Sequence, residues 1–239
     1  MTDLAPDVLN RPKRAAPNAP RRMALAAGLL GLALAGTAQA QHTEAGDAGA
    51  SPATAQATGG TAGLTLTSIA GTIASTADAD FFLITITNPA LFSASTVGGS
   101  QVDTQLYLFT SNGTPVYLDD DASGSTLQSS LPAGSLLGPQ VAGTYILGIS
   151  VSGVDPVNSA SQSLFAAPTF STDVRGPAAN ATGTVAGVFD NSSFADAGAY
   201  SISLTGAVTA VPEPSAAALF AVGALALGAG WRRRRGCTA

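Results

Sequence analysis

Residues 103–121 read "DTQLYLFTSNGTPVYLDDD". Two apolar runs, rich in Leu, Tyr, Phe and Val, flank Asn112-Gly113. That dipeptide is a strong short-range hairpin signal, because a type I′ turn needs positive φ at both central residues. Folding about it sets Phe109 opposite Val116 and Tyr107 opposite Leu118. One face then carries Tyr107, Phe109, Val116 and Leu118 in the middle, with Asp103 and Asp120 at the open end. An antiparallel β fold follows if the rest of the chain behaves alike.

It does. "LTLTSIAGTI", "DFFLITIT", "LFSASTV", "GTYILGISV" and "AYSISLTGAV" are short runs of Ile, Val, Thr, Tyr and Phe, separated by Gly, Pro, Asn, Asp and Ser. No helical period competes. This spacing predicts an all-β body, an antiparallel β-sandwich or jelly roll of about seven to nine strands over residues 64–210. Residues 41–63 are small and polar without an apolar period, and read as a flexible linker.

Charge is sparse and uneven. Between residues 41 and 211 Arg175 is the sole cation against twelve acids, a net charge of −11. Such a body repels phosphate backbones, so nucleic acid is a poor partner. The remaining cations lie at the two ends, before residue 23 and at Arg232, Arg233, Arg234 and Arg235.

Those ends read as addresses. Arg21 and Arg22 precede the apolar run 24–36, followed by small residues at Ala38 and Ala40 before Gln41. This is the pattern of a secretory signal peptide over 1–40, a signal helix handled by the general secretion machinery and cleaved ahead of Gln41. At the other end, residues 215–231 carry no charge. As a helix they would reach roughly 26 Å, enough to cross a thinned bilayer, with the arginines held in the cytoplasm. Both basic clusters lie inside in this reading, and residues 41–211 lie across the inner membrane. Cys237, the one cysteine, falls beyond the arginines.

The order Val211-Pro212-Glu213-Pro214, apolar helix, arginine cluster over 211–239 resembles the PEP-CTERM sorting signal of Gram-negative bacteria. The resemblance implies recognition by an exosortase, with Glu213 as the recognition residue, and passage to the cell surface or an exopolysaccharide matrix. A second resemblance lies in the body. "GTIASTADADFFLITIT", the hairpin and "AGTYILGISV" look like successive strands of the PPC-like β-sandwich domain of secreted bacterial proteins. It would cover about 64–206, with 155–197 departing most, and implies a binding or accessory module rather than a catalyst.

For chemistry, the carboxylates are the candidates. Asp119, Asp120 and Asp121 repel one another unless solvated, protonated or bridged, and calcium prefers six to eight oxygen ligands. Asp103 and the Asp78–Asp80 turn could join them in a calcium site, against the blander alternative of a solvated acidic turn. Catalysis is not expected, since the single histidine, His42, falls in the linker, without the fixed geometry general-base work needs. Tyr107, Tyr117, Tyr145 and Tyr200 are the available sugar platforms, each more readily accounted for by packing. Two functions remain: a non-catalytic surface or matrix protein, or a calcium-dependent carbohydrate- or protein-binding module.

Overall fold

A computed structural model describes residues 39–59, 61–192 and 196–210. These residues contain thirteen strands and, beyond one 3-10 turn at Pro89–Leu91, no helix. The expected signal helix and C-terminal membrane helix lie outside the described residues.

The strands are β1 (Gln39–Thr43), β2 (Gln56–Ala57), β3 (Thr65–Ile73), β4 (Ala79–Ile86), β5 (Ser93–Ser95), β6 (Thr104–Thr110), β7 (Pro115–Asp119), β8 (Ser130–Leu131), β9 (Gly143–Val151), β10 (Val154–Val157), β11 (Gly187–Asp190), β12 (Gly198–Thr205) and β13 (Ala207–Thr209). Eleven of them form one sheet, nine in the order β7-β6-β9-β4-β13-β3-β12-β5-β8 with β1 added to β3 and β2 to β4, while β10 and β11 pair separately. The sheet curls until its two edges nearly meet. There the Ser130 amide, on β8, donates to Asp119 Oδ2, on β7, at 2.7 Å.

Curling gives the sheet a filled interior. Alternate residues of β4 and β9 (Phe82, Ile84, Ile86; Tyr145, Leu147, Ile149) point into it and meet Leu66, Ile69 and Ile202. The opposite face of the same strands is not left to water. Phe81, Tyr107, Phe109 and Ile146 form a second cluster, covered by Leu164, Phe165 and Val185 of the long β10–β12 connection. Strands buried on both faces read as continuous apolar runs, which is how β6 reads.

The hairpin departs from expectation in two ways. Gly113 has φ +87°, but Asn112 is not at positive φ. The Gly113 amide donates to Thr110 O, and the Thr110 amide to Thr114 O, both at 2.9 Å. The connection is therefore a three-residue loop with glycine in the left-handed position, not a type I′ turn. Thr114 Oγ1 donates to Asn112 Oδ1 at 3.0 Å, tying the asparagine side chain within the loop. Tyr107 pairs Leu118 as expected, but Phe109 pairs Pro115 across a bulge. The bulge makes Val116 the extra residue, and it packs with Tyr117 against the interior instead of joining Phe109.

Residues 41–63, expected as a flexible linker, supply structure instead. β1 pairs in parallel with β3, and β2 in parallel with β4. Among the described residues only the short β13 otherwise lies between β3 and β4, so the arm fills that seam. His42 Nε2 hydrogen-bonds Gln56 Oε1 at 2.8 Å and joins β1 to β2, while its ring lies edge-on to Phe82. Small side chains such as Ala40 and Ala57 give no apolar period, yet their backbones pair as well as any.

Candidate functional site

The arm carries acids to the point where β3 and β4 diverge. Glu44 follows β1, and its two oxygens accept from the Ala48 amide (3.1 Å) and the Thr72 amide (3.0 Å). Asp47 accepts from the Gly49 amide at 2.9 Å. Asp80, second residue of β4, points inward and is 0 % exposed. One oxygen from each of Glu44, Asp47 and Asp80 lies within 4.8 Å of the others. Across the seam, Tyr200 of β12 donates its hydroxyl to Asp80 Oδ2 at 2.8 Å, leaving Oδ1 buried without a partner.

Burial pushes the Asp80 carboxyl up to about 8, with the Glu44 and Asp78 charges adding to it and the Tyr200 hydrogen bond opposing. Two arrangements satisfy such a group. It can keep a proton at neutral pH, or a cation can take the proton's place. The donor set is all oxygen, and Asp80 brings to it a buried carboxyl with one oxygen unpartnered. That suits a hard divalent ion such as calcium better than zinc, whose sites are built mostly on histidine nitrogen and cysteine sulfur.

The six expected calcium ligands do not meet in one place. Asp80, Ile149, Leu106 and Asp119 are successive partners across four strands. Three strand spacings, roughly 14 Å of sheet, thus separate Asp80 from Asp119. Asp78 stays with Asp80 and accepts from the Ala74 amide at 2.6 Å. Asp103, Asp119, Asp120 and Asp121 gather at the open end of the hairpin with Asp196, which accepts from the Asp103 amide at 3.1 Å.

That second cluster already contains a cation. Arg175 is 8 % exposed and donates to Gln105 Oε1 at 3.0 Å. Its charge lowers the Asp119 and Asp120 carboxyls, though not enough. Burial first, then Asp120 and Asp121, carry Asp119 up to about 6. Asp103 rises to about 6 through burial and then the neighbouring Asp120, Asp121 and Asp196. Asp120 is also raised by burial, against a hydrogen bond from Ser152.

The four tyrosines are all buried, so none offers a ring to an external sugar. The Glu44–Asp47 half of the first cluster was missed in the sequence, because it lies in the segment read as a linker. "TEAGD" carried the only signal: two acids in an otherwise uncharged stretch.

Of the processing residues, Ala40 and Gln41 lie in β1, and the register with β3 shifts between them. Ala38, Val211, Pro212, Glu213, Pro214 and Arg232 to Arg235 lie outside the described residues. Among the described residues no helix is long and apolar enough to cross a membrane. The family model of the PEP-CTERM protein-sorting motif matches residues 210–235. The chain carries this sorting motif. It implies an exported protein recognised by an exosortase and processed at the membrane. No curated relative matches the chain.

Proposed function

We propose that this chain is exported, sorted by an exosortase through residues 210–235 and delivered to the cell surface or an exopolysaccharide matrix, where its β body is a non-catalytic structural or binding module. The observation that carries this is the sorting-motif match. The secretory pattern at the opposite end agrees with it. The body fits a PPC-like sandwich in its strand motifs and in its doubly covered sheet. The segment, with a formal net charge of −11 between residues 41 and 211, suits a hydrated anionic setting in which self-association is disfavoured. Deleting residues 212–239 tests the sorting claim. The truncated chain is expected to cross the inner membrane yet fail to reach the cell exterior; undiminished surface delivery would contradict it.

A second reading, a calcium-dependent module, is favoured by the Glu44–Asp47–Asp80 group. Calcium there would tie the arm to β4. Isothermal titration of the full chain with calcium, after EDTA treatment, is expected to show saturable binding that Asp80→Asn removes. Absence of heat and of any thermal shift at millimolar calcium would end this reading.

A further inference from the structure

The twelve acids of the body all fall toward one end of the curled sheet, the end where β4, β6 and β12 begin. Asp78 and Asp80 open β4, Asp103 precedes β6, Asp119 closes β7 and Asp196 precedes β12. Glu44 and Asp47 join Asp80. Asp155 and Asp190 lie on β10 and β11, directly beyond β9. Asp173 lies beside Asp121, whose amide donates to Ser171 O at 3.1 Å. By contrast, segments 56–77, 81–102, 104–118, 122–154 and 197–210 hold no charged residue. The opposite end is built mainly from them, joined by uncharged residues such as Pro52, Thr184 and Val185 around Gly113.

That uncharged end is also apolar at its tips. The β4–β5 connection, with Asn88, Pro89 and Ala90, faces the β8–β9 connection, with Ser135, Leu136 and Gln140, across a groove of about 400 Å³. Leu136 is 97 % exposed, and Leu91, Leu137 and Val141, on the same two connections, are exposed as well. The other exposed large apolar residues, Val97, Leu127, Phe170 and Phe189, lie among the acids of the other end: Leu127 O accepts the Thr104 amide beside Asp103, Phe170 O accepts the Asp173 amide, and Phe189 pairs Asp155. Two adjoining uncharged connections that expose four aliphatic side chains with no carboxylate between them make a surface that expects an apolar partner.

The course of the chain says which partner. Gln39, where the described body starts, and Val208, close to where it stops, both pair with Thr65 near this same end. Gly206, just before β13, accepts the Asn88 amide of the groove at 3.3 Å. Beyond Ala210 only residues 211–214 precede the uncharged run 215–231. Four residues span at most ~14 Å. The three-residue β13 sets Ala210 roughly 10 Å from the uncharged rim, while the nine-residue β9 makes the sheet roughly 30 Å long. A tether of that reach brings the uncharged rim to a bilayer surface and leaves the acidic end some 20 Å further out, away from anionic headgroups.

We propose that the Leu91–Leu136–Leu137–Val141 rim is a lipid-facing surface, which rests on the bilayer interface while the chain is held there by residues 215–231 and so presents the acidic, carboxylate-bearing end outward. This rests on the membrane-processed route proposed above. The acids around Asp80 and Asp120 then face the compartment where the exported protein meets its neighbours, and the sorting motif stays at the membrane plane.

The test uses the full chain with Cys237→Ser, reconstituted into vesicles of phosphatidylethanolamine and phosphatidylglycerol. Leu136→Cys and, at the acidic end, Ser125→Cys each carry a polarity-sensitive fluorophore; both positions are exposed, so neither substitution threatens folding. Leu136 is expected to emit at shorter wavelength and to lose emission about twofold or more when lipids brominated near the top of the acyl chain are used, as interfacial apolar groups do; Ser125 is expected to respond to neither. Chains that float with the vesicles while Leu136 remains water-like overturn this proposal alone. Chains that do not float overturn the membrane route and this proposal with it. A blue-shifted Leu136 that ignores brominated lipid but self-quenches identifies a second copy as the occupant, which also overturns it.

Discussion

Tyr200 donates its hydroxyl to Asp80 Oδ2 at 2.8 Å, joining β12 to β4 across the seam that the N-terminal arm closes. The bond satisfies one oxygen of a fully buried carboxyl and leaves the other without a partner, in a residue that stands beside Glu44 and Asp47. The body therefore contains a site whose stability depends on what neutralises it.

The first consequence is a pH dependence of uncommon sign. An unfolded aspartate ionises near pH ~3.9, whereas Asp103 and Asp119 sit at about 6 and Asp80 at about 8. The folded state thus holds protons that the unfolded state has released. The stabilisation from retaining them is complete below the unfolded value, falls as pH rises through 6 and falls again through 8. Urea midpoints measured in EDTA at pH 5, 6.5 and 8 are expected to decrease in that order, and Asp80→Asn is expected to remove the upper part of the decline. A midpoint that rises steadily from pH 5 to 8 would contradict the assignment.

Calcium is expected to reverse that slope if it replaces the proton. Binding to the folded state alone stabilises by RT ln(1 + [L]/Kd), or ~2.7 kcal/mol at a hundredfold excess over Kd. The gain should be larger at pH 8 than at pH 5, where protons compete. Thermal melts at both pH values, with and without calcium, provide the check; an equal shift at both would point to weak surface binding instead.

Arg175→Ala should destabilise the body. The guanidinium is buried and donates to Gln105 Oε1, and its charge lowers the Asp119 and Asp120 carboxyls; leaving that buried oxygen unpaired should cost ~1–3 kcal/mol. It should also move the Asp119 titration upward, visible as a shift of its carboxyl resonance with pH. Arg175→Met, which keeps volume but not charge, should behave like alanine if charge is the cause, and like wild type if packing is.

Two glycines are fixed by what stands over them. A Cβ at Gly148 would meet the Tyr107 ring and come within 2.9 Å of Phe81 Cε1. Gly148→Ala should cost ~1–3 kcal/mol through overpacking. A Cβ at Gly71 would fall on the Tyr200 hydroxyl and Glu44 Oε2, so Gly71→Ala should weaken calcium binding as well as stability. Comparing the two variants by denaturation and calorimetry separates a core effect from a site effect.

Removing residues 41–57 should expose the β3–β4 seam, since β1 and β2 fill it. The chain lacking residues 41–57 is expected to melt lower than the full chain and to aggregate through its open strand edges. Equal melting of the two lengths would show that the arm is dispensable.

The seven strands expected from alternating Val, Ile, Tyr and Phe all occur, because burial of those side chains decides them. β1, β2 and β8 were not legible: Ala, Gln, Ser and Thr pair through their backbones and leave no periodic trace. The Asn112-Gly113 signal located the hairpin but not its loop, since a three-residue loop places only the glycine at positive φ. The acids of residues 119–121 drew attention as a charge run, yet the tighter group was Glu44, Asp47 and Asp80, brought together by a fold that adds the arm beside β3. Arg175 was visible as a lone cation; its burial against those acids depended on a long connection whose course the sequence does not mark.

The most direct test of the central claim is labelling in intact cells. With Cys237→Ser and Ser125→Cys in the full chain, a maleimide that does not cross the outer membrane should label the body before lysis if it is carried outward by its sorting motif. Labelling that appears only after the cytoplasm is opened, on chains still bearing both termini, would contradict the account.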